Sequence, residues 1–211
     1  MLKQCTHLSD LKDFPDNIAL SICDRHPIAN IQAFFDVLMQ IDFSISGLVS
    51  KDNTIQDIED IISEYIPNNL KGSNSYKQWI QDMANICHIF CDIQKSEHIS
   101  FWLGTKRGCK RYHLDYVPMR LLVTYAGAGT QWIPHEASDW NAYANGGTND
   151  VICKDINKIE TIKPWDVAIF RGREKGVLHR TPDDAMNNPS IFMRLDIAAF
   201  QKKLLKMNAA G

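Results

Sequence analysis

Residues 110–125 read Lys110-Arg111-Tyr112-His113-Leu114-Asp115-Tyr116-Val117-Pro118-Met119-Arg120-Leu121-Leu122-Val123-Thr124-Tyr125, and this stretch decides the fold. Its second half is an apolar, β-branched and aromatic run behind a proline, which predicts a buried strand over residues 121–125. Its first half carries His-x-Asp. If residues 110–116 are also extended, His113 and Asp115 point to the same side, whereas on a helix they would diverge. Similar short runs follow on either side, at residues 99–103, 151–154, 166–170 and 190–198, and Val177-Leu178-His179 re-enters an extended stretch. Gly104, Gly108, Gly127, Gly129, Gly146-Gly147 and Pro164 punctuate them. Several short strands joined by Gly and Pro turns predict a sandwich or barrel.

Upstream the period changes to that of a helix. After Pro27, the residues Ile31, Phe34, Phe35, Leu38 and Ile41 recur at helical spacing. A second helix is expected over residues 54–65, with Ile55, Ile58, Ile61 and Ile62 on one face and Pro67 ending it. A third, capped by Ser75, carries Trp79, Ile80, Met83, Ile86, Phe90 and Ile93. The expectation is an α+β chain: a helical N-terminal region over residues 1–97, packed on a β-rich, metal-binding core over residues 98–211 that closes with a helix at residues 199–207.

Composition narrows the function classes. The 211 residues are 45% hydrophobic, enough for a sizeable core. No apolar run approaches the roughly 20 residues of a membrane span, and the start has no apolar signal region, so a cytoplasmic protein with no membrane partner is expected. The six cysteines are scattered and form no Cys-x-x-Cys, which argues against a disulfide framework. Cys87 and Cys91, flanking His88 on the third helix, read as small core residues before they read as zinc ligands. Residues 1–97 hold seven Lys and Arg against 14 Asp and Glu, while residues 98–211 hold 16 against 11. The positive excess, with Lys106, Arg107, Lys110 and Arg111 just before His113, favours anionic small molecules; it is too sparse to imply nucleic acid.

His113 and Asp115, joined by His179 far downstream, supply two imidazoles and one carboxylate. Non-haem iron(II) favours that set because it leaves coordination positions open for substrate and oxygen. Cys109 shares strand parity with them, but six residues of straight strand put it roughly 20 Å from Asp115, too far to share an ion unless the chain bends. The glycine-rich run from Tyr125 to Thr130 lacks the features of a phosphate or dinucleotide loop and reads as a turn.

The segment Lys163-Pro-Trp-Asp-Val-Ala-Ile-Phe-Arg-Gly172, then Val177-Leu-His-Arg-Thr-Pro182 and Ile191-Phe-Met-Arg-Leu-Asp-Ile197, resembles the distal half of the iron(II), 2-oxoglutarate-dependent dioxygenases. Residues Cys109 to Trp132, with a basic and aromatic lead into His-x-Asp, then Arg-Leu-Leu and Thr-Tyr-x-Gly-x-Gly-Thr-x-Trp, are similar to the bacterial family named domain of unknown function 1826. The similarity covers roughly residues 100–197. It implies a jelly-roll, cupin-like double-stranded β-helix with His113, Asp115 and His179 on the metal. It also implies a basic residue on the last strand that holds the 2-oxoglutarate carboxylate.

Arg194 is the first choice for that role, Arg120 the second, and Tyr125 a phenolic partner. Arg194 lies fifteen residues beyond His179, a longer gap than many of these enzymes have, with Pro182 to Pro189 as the intervening loop. Alternation puts Phe192, Arg194 and Asp196 on one face, where an internal Arg194–Asp196 salt bridge competes with a carboxylate clamp. The implied function is an iron(II)- and 2-oxoglutarate-dependent oxygenase of hydroxylase type, with its primary substrate open. The alternatives are a cupin-like metal-binding protein without oxygenase activity, linked to zinc handling, and a structural module. Residues 135–150 read as a lid, with Trp140 and Tyr143 for contact and Gly146-Gly147 as hinge, or as a surface insertion.

Overall fold

Alternation along the strands builds two sheets back to back, and it sorts their side chains into separate cores. The computed structural model describes residues 1–201. Its strands are β1 (Leu2–Cys5), β2 (Leu20–Cys23), β3 (Ser44–Ser50), β4 (His98–Gly104), β5 (Met119–Ala126), β6 (Thr130–Ile133), β7 (Glu160–Ile162), β8 (Val167–Arg171), β9 (Leu178–Arg180) and β10 (Ile191–Ile197). Its α-helices are α1 (Gln32–Leu38), α2 (Thr54–Ile62), α3 (Asn68–Lys71), α4 (Asn74–Gln94), α5 (Trp140–Ala144), α6 (Asn149–Ile152) and α7 (Asp183–Asn187).

Seven strands form one sheet in the order β1-β2-β8-β5-β10-β4-β3, and three form a second in the order β7-β6-β9. His113 adds an isolated antiparallel bridge to His179 at the free side of β9. From β4 onward the chain alternates between the two sheets: large at β4, small at His113, large at β5, small at β6 and β7, large at β8, small at β9, and large at β10.

One face of the large sheet, with Phe101, Leu103, Leu121, Val123, Tyr125, Ile169, Met193 and Leu195, packs against α4, whose Trp79, Met83, Cys87 and Phe90 are all buried. Burying an apolar side chain of this size contributes roughly 1.5–3 kcal/mol, so this layer is the main apolar store of the fold. The opposite face, with Leu20, Ile22, Leu122, Ala168 and Phe170, meets Trp132 and Ile162 of the small sheet.

The three long helices lie where their periodicity places them, with one shift: α4 is capped by Ser73, whose Oγ accepts from Tyr76 N at 3.1 Å, and not by Ser75. The first 97 residues, however, are not a helical region. They supply β1, β2 and β3 to the large sheet, so its strands come from both sides of residue 97. β1 and β2 have four residues each and β2 is buried at every position, so neither shows the alternation that announces a half-exposed strand. β3 does alternate, with Ile45 and Val49 buried between exposed Ser44, Ser46 and Leu48, but its serines and glycine are weak strand formers.

Residues 151–154 are not a strand either, since α6 ends there, and β6 and β7 were not foreseen. Residues 110–116 pair as a strand only at the His113 bridge. The helix expected over residues 199–207 begins at residue 198 and beyond 201 lies outside the described residues. Among the described residues no helix is long and apolar enough to cross a membrane.

Candidate metal centre

Backbone pairing brings the two histidines together. His113 N donates to His179 O at 3.0 Å and His179 N to His113 O at 3.1 Å, a hydrogen-bonded antiparallel pair that sets the rings side by side with centroids 4.4 Å apart. Leu178 turns outward, and His179 turns inward between the sheets, against Phe170 at 4.5 Å. Asp115 arrives from the loop after the bridge, fixed where Arg173 N donates to its carbonyl at 2.7 Å.

That approach depends on a glycine. A Cβ on Gly172 would stand 1.8 Å from Val117 O and 2.6 Å from Asp115 O, so only glycine lets the loop close down on the end of β8. One ligand atom from each of His113, Asp115 and His179 lies within 4.8 Å of the others, the one such cluster among the described residues.

The tautomers follow from the neighbours. His113 Nδ1 lies 3.0 Å from Arg111 O, and His179 Nδ1 lies 3.1 Å from Val177 O. A carbonyl only accepts, so each Nδ1 carries the proton and each Nε2 is left with a lone pair for a metal. Burial pushes the His179 pKa down to about 4, which keeps this imidazole neutral near pH 7. For His113 burial acts in the same sense, but the Cys109 side chain, the Arg111 carbonyl and Asp115 outweigh it and raise the pKa.

Asp115 is 3% exposed, and its Oδ2 has no hydrogen-bond partner. It lies 3.5 Å from His179 Nε2. Two buried acceptors therefore face each other with no proton between them, an arrangement that costs free energy unless a cation bridges it. Two atoms each about 2.1 Å from a metal, at 90–109° to one another, are roughly 3.0–3.4 Å apart, so the spacing fits a shared ion.

The other oxygen of Asp115 is committed. Arg120 Nη1 donates to Oδ1, while its Nε and Nη2 reach Asp196 Oδ1 and Oδ2 at 2.8 and 3.3 Å. All three nitrogens of Arg120 are thus bound to carboxylates, and the guanidinium orients Asp115 with no fork left for a cosubstrate.

Arg194 differs. Its Nε pairs with Asp196 Oδ2 at 3.0 Å without hydrogen-bond alignment, and its Nη atoms have no protein acceptor among the described residues. The salt bridge and a free fork coexist. Arg194 lines a cavity of about 130 Å³ with His113, His179, Arg120, Arg107 and Phe192.

Tyr125 does not belong to the site. It projects from the other face of β5, 2% exposed, donating to Asp82 Oδ2 at 2.8 Å and packed on Trp165 at 5.0 Å. Odd and even positions of one strand point apart, so Arg120 and Tyr125 cannot share a pocket. Cys109 does enter the cavity wall, because the chain bends there at φ 65, and its hydrogen bond to His113 lowers the thiol pKa. Cys87 and Cys91 are core residues whose thiol pKa values burial raises.

Residues 135–150 take the insertion alternative in this structure. They pack on the outer face of the small sheet, where Tyr143 and Trp140 join Ile133, Ile152 and Leu178. Sequence reasoning missed how they serve the site. Asn149 Oδ1 accepts from Tyr112 N at 2.9 Å and its Nδ2 donates to Lys110 O at 3.0 Å, clamping the backbone that presents His113. Arg111 adds bonds to Tyr143 O and Gly147 O, both at 2.9 Å. Nothing in a lone Asn-Asp pair after two glycines announces such a clamp.

Solved structures similar to this chain have low sequence identity. The dioxygenase for auxin oxidation 1 of Arabidopsis thaliana, in binary complex with 2-oxoglutarate, is 9% identical over 93% of this chain and 92% of its own, with a TM-score of 0.45. EctD from S. alaskensis, with 2-oxoglutarate and 5-hydroxyectoine, is 14% identical over 86% of this chain and 73% of its own, with a TM-score of 0.40. A bsmA homologue from Methylobium petroleophilum is 10% identical over 84% and 87%, with a TM-score of 0.38. None of the curated proteins compared with the chain matches it. The profile of one protein family matches residues 5–196, nearly the whole chain, and by that match the protein belongs to the family of proteins of unknown function DUF1826.

Proposed function

We propose that this chain is an iron(II)- and 2-oxoglutarate-dependent oxygenase of hydroxylase type, built on a double-stranded β-helix. The order of eight extended segments from β4 to β10, which change sheet at every step except β6 to β7, supports that description of the core. One observation carries the functional reading: His179 Nε2 and the buried Asp115 Oδ2, both acceptors, face each other beside the second imidazole, and both imidazoles line a cavity with a free arginine fork. Two imidazoles and a carboxylate oxygen would occupy part of the coordination sphere and leave the rest for small molecules. When bound, iron and 2-oxoglutarate supply the oxidising chemistry: with O₂, one oxygen atom enters a substrate C–H bond, the other enters succinate, and CO₂ leaves.

The residues of the chain do the positioning. Arg111 O and Val177 O hold the two rings with Nε2 toward the centre. Arg120 ties up Asp115 Oδ1, so that Oδ2 is the oxygen offered to the metal. Arg194 offers two parallel N–H donors to a carboxylate of the cosubstrate. Phe170 and Leu122 keep the inner wall apolar, which strengthens each of these charged contacts.

The test is anaerobic loading with iron(II) followed by titration with 2-oxoglutarate. A metal-to-ligand charge-transfer absorption is expected, and on admitting air, oxygen uptake with release of succinate. His113→Ala and His179→Ala are expected to lose stoichiometric metal while keeping the circular dichroism of the parent. Tightly held zinc with no response to any oxo-acid would replace this reading with that of a metal-binding protein.

A further inference from the structure

Arg107 stands apart from the other part-buried arginines. Arg25, Arg120, Arg171, Arg180 and Arg194 each have a carboxylate within 4 Å; Arg107, among the described residues, has none. Its Nη1 donates to Ala128 O and its Nη2 to Thr130 Oγ1, both at 2.7 Å, and its buried Nε has no partner. A guanidinium has five N–H donors, so these two bonds leave three unused. A buried cation without a counter-charge is costly, and burial here pushes the Arg107 pKa down to about 10.

The group is nonetheless held firmly. Its plane lies 4.3 Å over the Phe192 ring; Phe192 packs edge-on to Trp102 at 6.0 Å; and Trp102 carries Arg194 at 5.4 Å. Trp102 is paired across the sheet with Arg194, so this wall is a stack of two aromatic rings with a guanidinium at each end. Both ends line the same cavity.

Resting on the assignment of Arg194 to the cosubstrate, we propose that Arg107 is the anchor for the primary substrate, and that the substrate is a small molecule bearing a carboxylate. Two separated cations in one cavity serve two anions, because a single dicarboxylate at Arg194 leaves Arg107 unneutralised. The N–H groups left free on its nitrogens suit a carboxylate, whose oxygens accept charge-assisted bonds. Fixed guanidinium and aromatic faces then place the remainder of the substrate over Phe192 and Trp102, beside the open side of the metal centre.

The test uses the full chain loaded with zinc as a diamagnetic substitute, held in saturating 2-oxoglutarate, with acetate as probe. The arginine Nε–H resonance of Arg107 in a ¹H–¹⁵N correlation spectrum is the readout. It is expected to shift saturably with acetate. Arg107→Gln is expected to weaken acetate binding about tenfold or more, as loss of a charge-assisted fork would, while 2-oxoglutarate affinity changes less than about twofold. Arg107→Lys, which keeps the charge and the fold but not the fork, is expected to fall between.

Loss of 2-oxoglutarate binding in Arg107→Gln, with Arg194→Leu neutral, would overturn the proposal by making Arg107 the cosubstrate residue. Acetate binding unaffected by Arg107→Gln would overturn it too. Inorganic phosphate binding more tightly than acetate would overturn the carboxylate class. If 2-oxoglutarate fails to bind the parent but acetate still shifts Arg107, the oxygenase reading falls and the anion anchor stands.

Discussion

Replacing Arg120 by methionine keeps much of the side-chain volume and removes the charge that joins two buried carboxylates, so its cost can be worked from the structure. Asp115 and Asp196 have side chains 1% exposed, and Arg120 itself is 13% exposed. Removing one partner of a buried ion pair costs about 3–5 kcal/mol, because the charge left behind has neither water nor a counter-ion. For a chain of this length each kcal/mol moves the melting temperature by roughly 2–4 °C, so the metal-free variant should melt on the order of 6–20 °C below the parent at pH 7.

Acid should narrow the gap. Burial already raises the Asp196 pKa. A raised carboxylate contributes stability below its unfolded pKa and loses it as pH rises through the folded value. Removing Arg120 moves that folded value further up, so the deficit belongs to neutral pH and shrinks as the pH falls. Metal should widen the gap, because binding about 10–100-fold weaker than in the parent, where the carboxylate keeps its support, stabilises the folded variant less at the same metal concentration. Circular-dichroism melts with and without metal, at pH 7 and pH 5, measure all of this. A metal-free variant melting within about 2 °C of the parent at pH 7 would refute the idea that Arg120 holds the two carboxylates.

Other perturbations probe the same centre. With the His179 pKa lowered to about 4 against an ordinary 6.5, the unfolded chain takes up a proton that the folded one refuses. Metal-free stability should therefore drop by roughly 3 kcal/mol as pH falls from 6.5 to 4, and urea titrations of His179→Gln should lose most of that slope. Gly172→Ala forces the loop at Asp115 and Val117 off the end of β8; metal affinity measured by competition with a chelator should fall about 10–100-fold, and an unchanged value would show that the loop moves freely. Asn149→Ala, distant from the ion, should weaken metal binding by loosening the backbone at Lys110 and Tyr112, with parental affinity counting against the clamp. Limited proteolysis within residues 135–150 should be the same with and without metal and 2-oxoglutarate; new protection would restore the lid.

Local chemistry was legible in the sequence. Side-chain period fixes which residues share a face, and so it assigned α1, α2 and α4, the strands β4, β5, β8 and β10, and the common face of Phe192, Arg194 and Asp196. The set His113, Asp115 and His179 could be read because metal coordination demands few residue types. Tertiary structure decided everything that depends on what a strand pairs with. It drew β1, β2 and β3 into the large sheet, since four residues are too few to show a period in β1 and β2 and the Ser- and Gly-rich β3 carries weak strand propensity. It bent the chain at Cys109, turned Tyr125 to the helical side, and let a one-residue bridge do the work of the strand expected at residues 110–116. It also divided the arginines, spending Arg120 on two aspartates while leaving Arg194 and Arg107 with donors free. Residue type states what a side chain can bind, but whether its donors are already taken is set by neighbours tens of residues away, and only the folded chain brings those within reach.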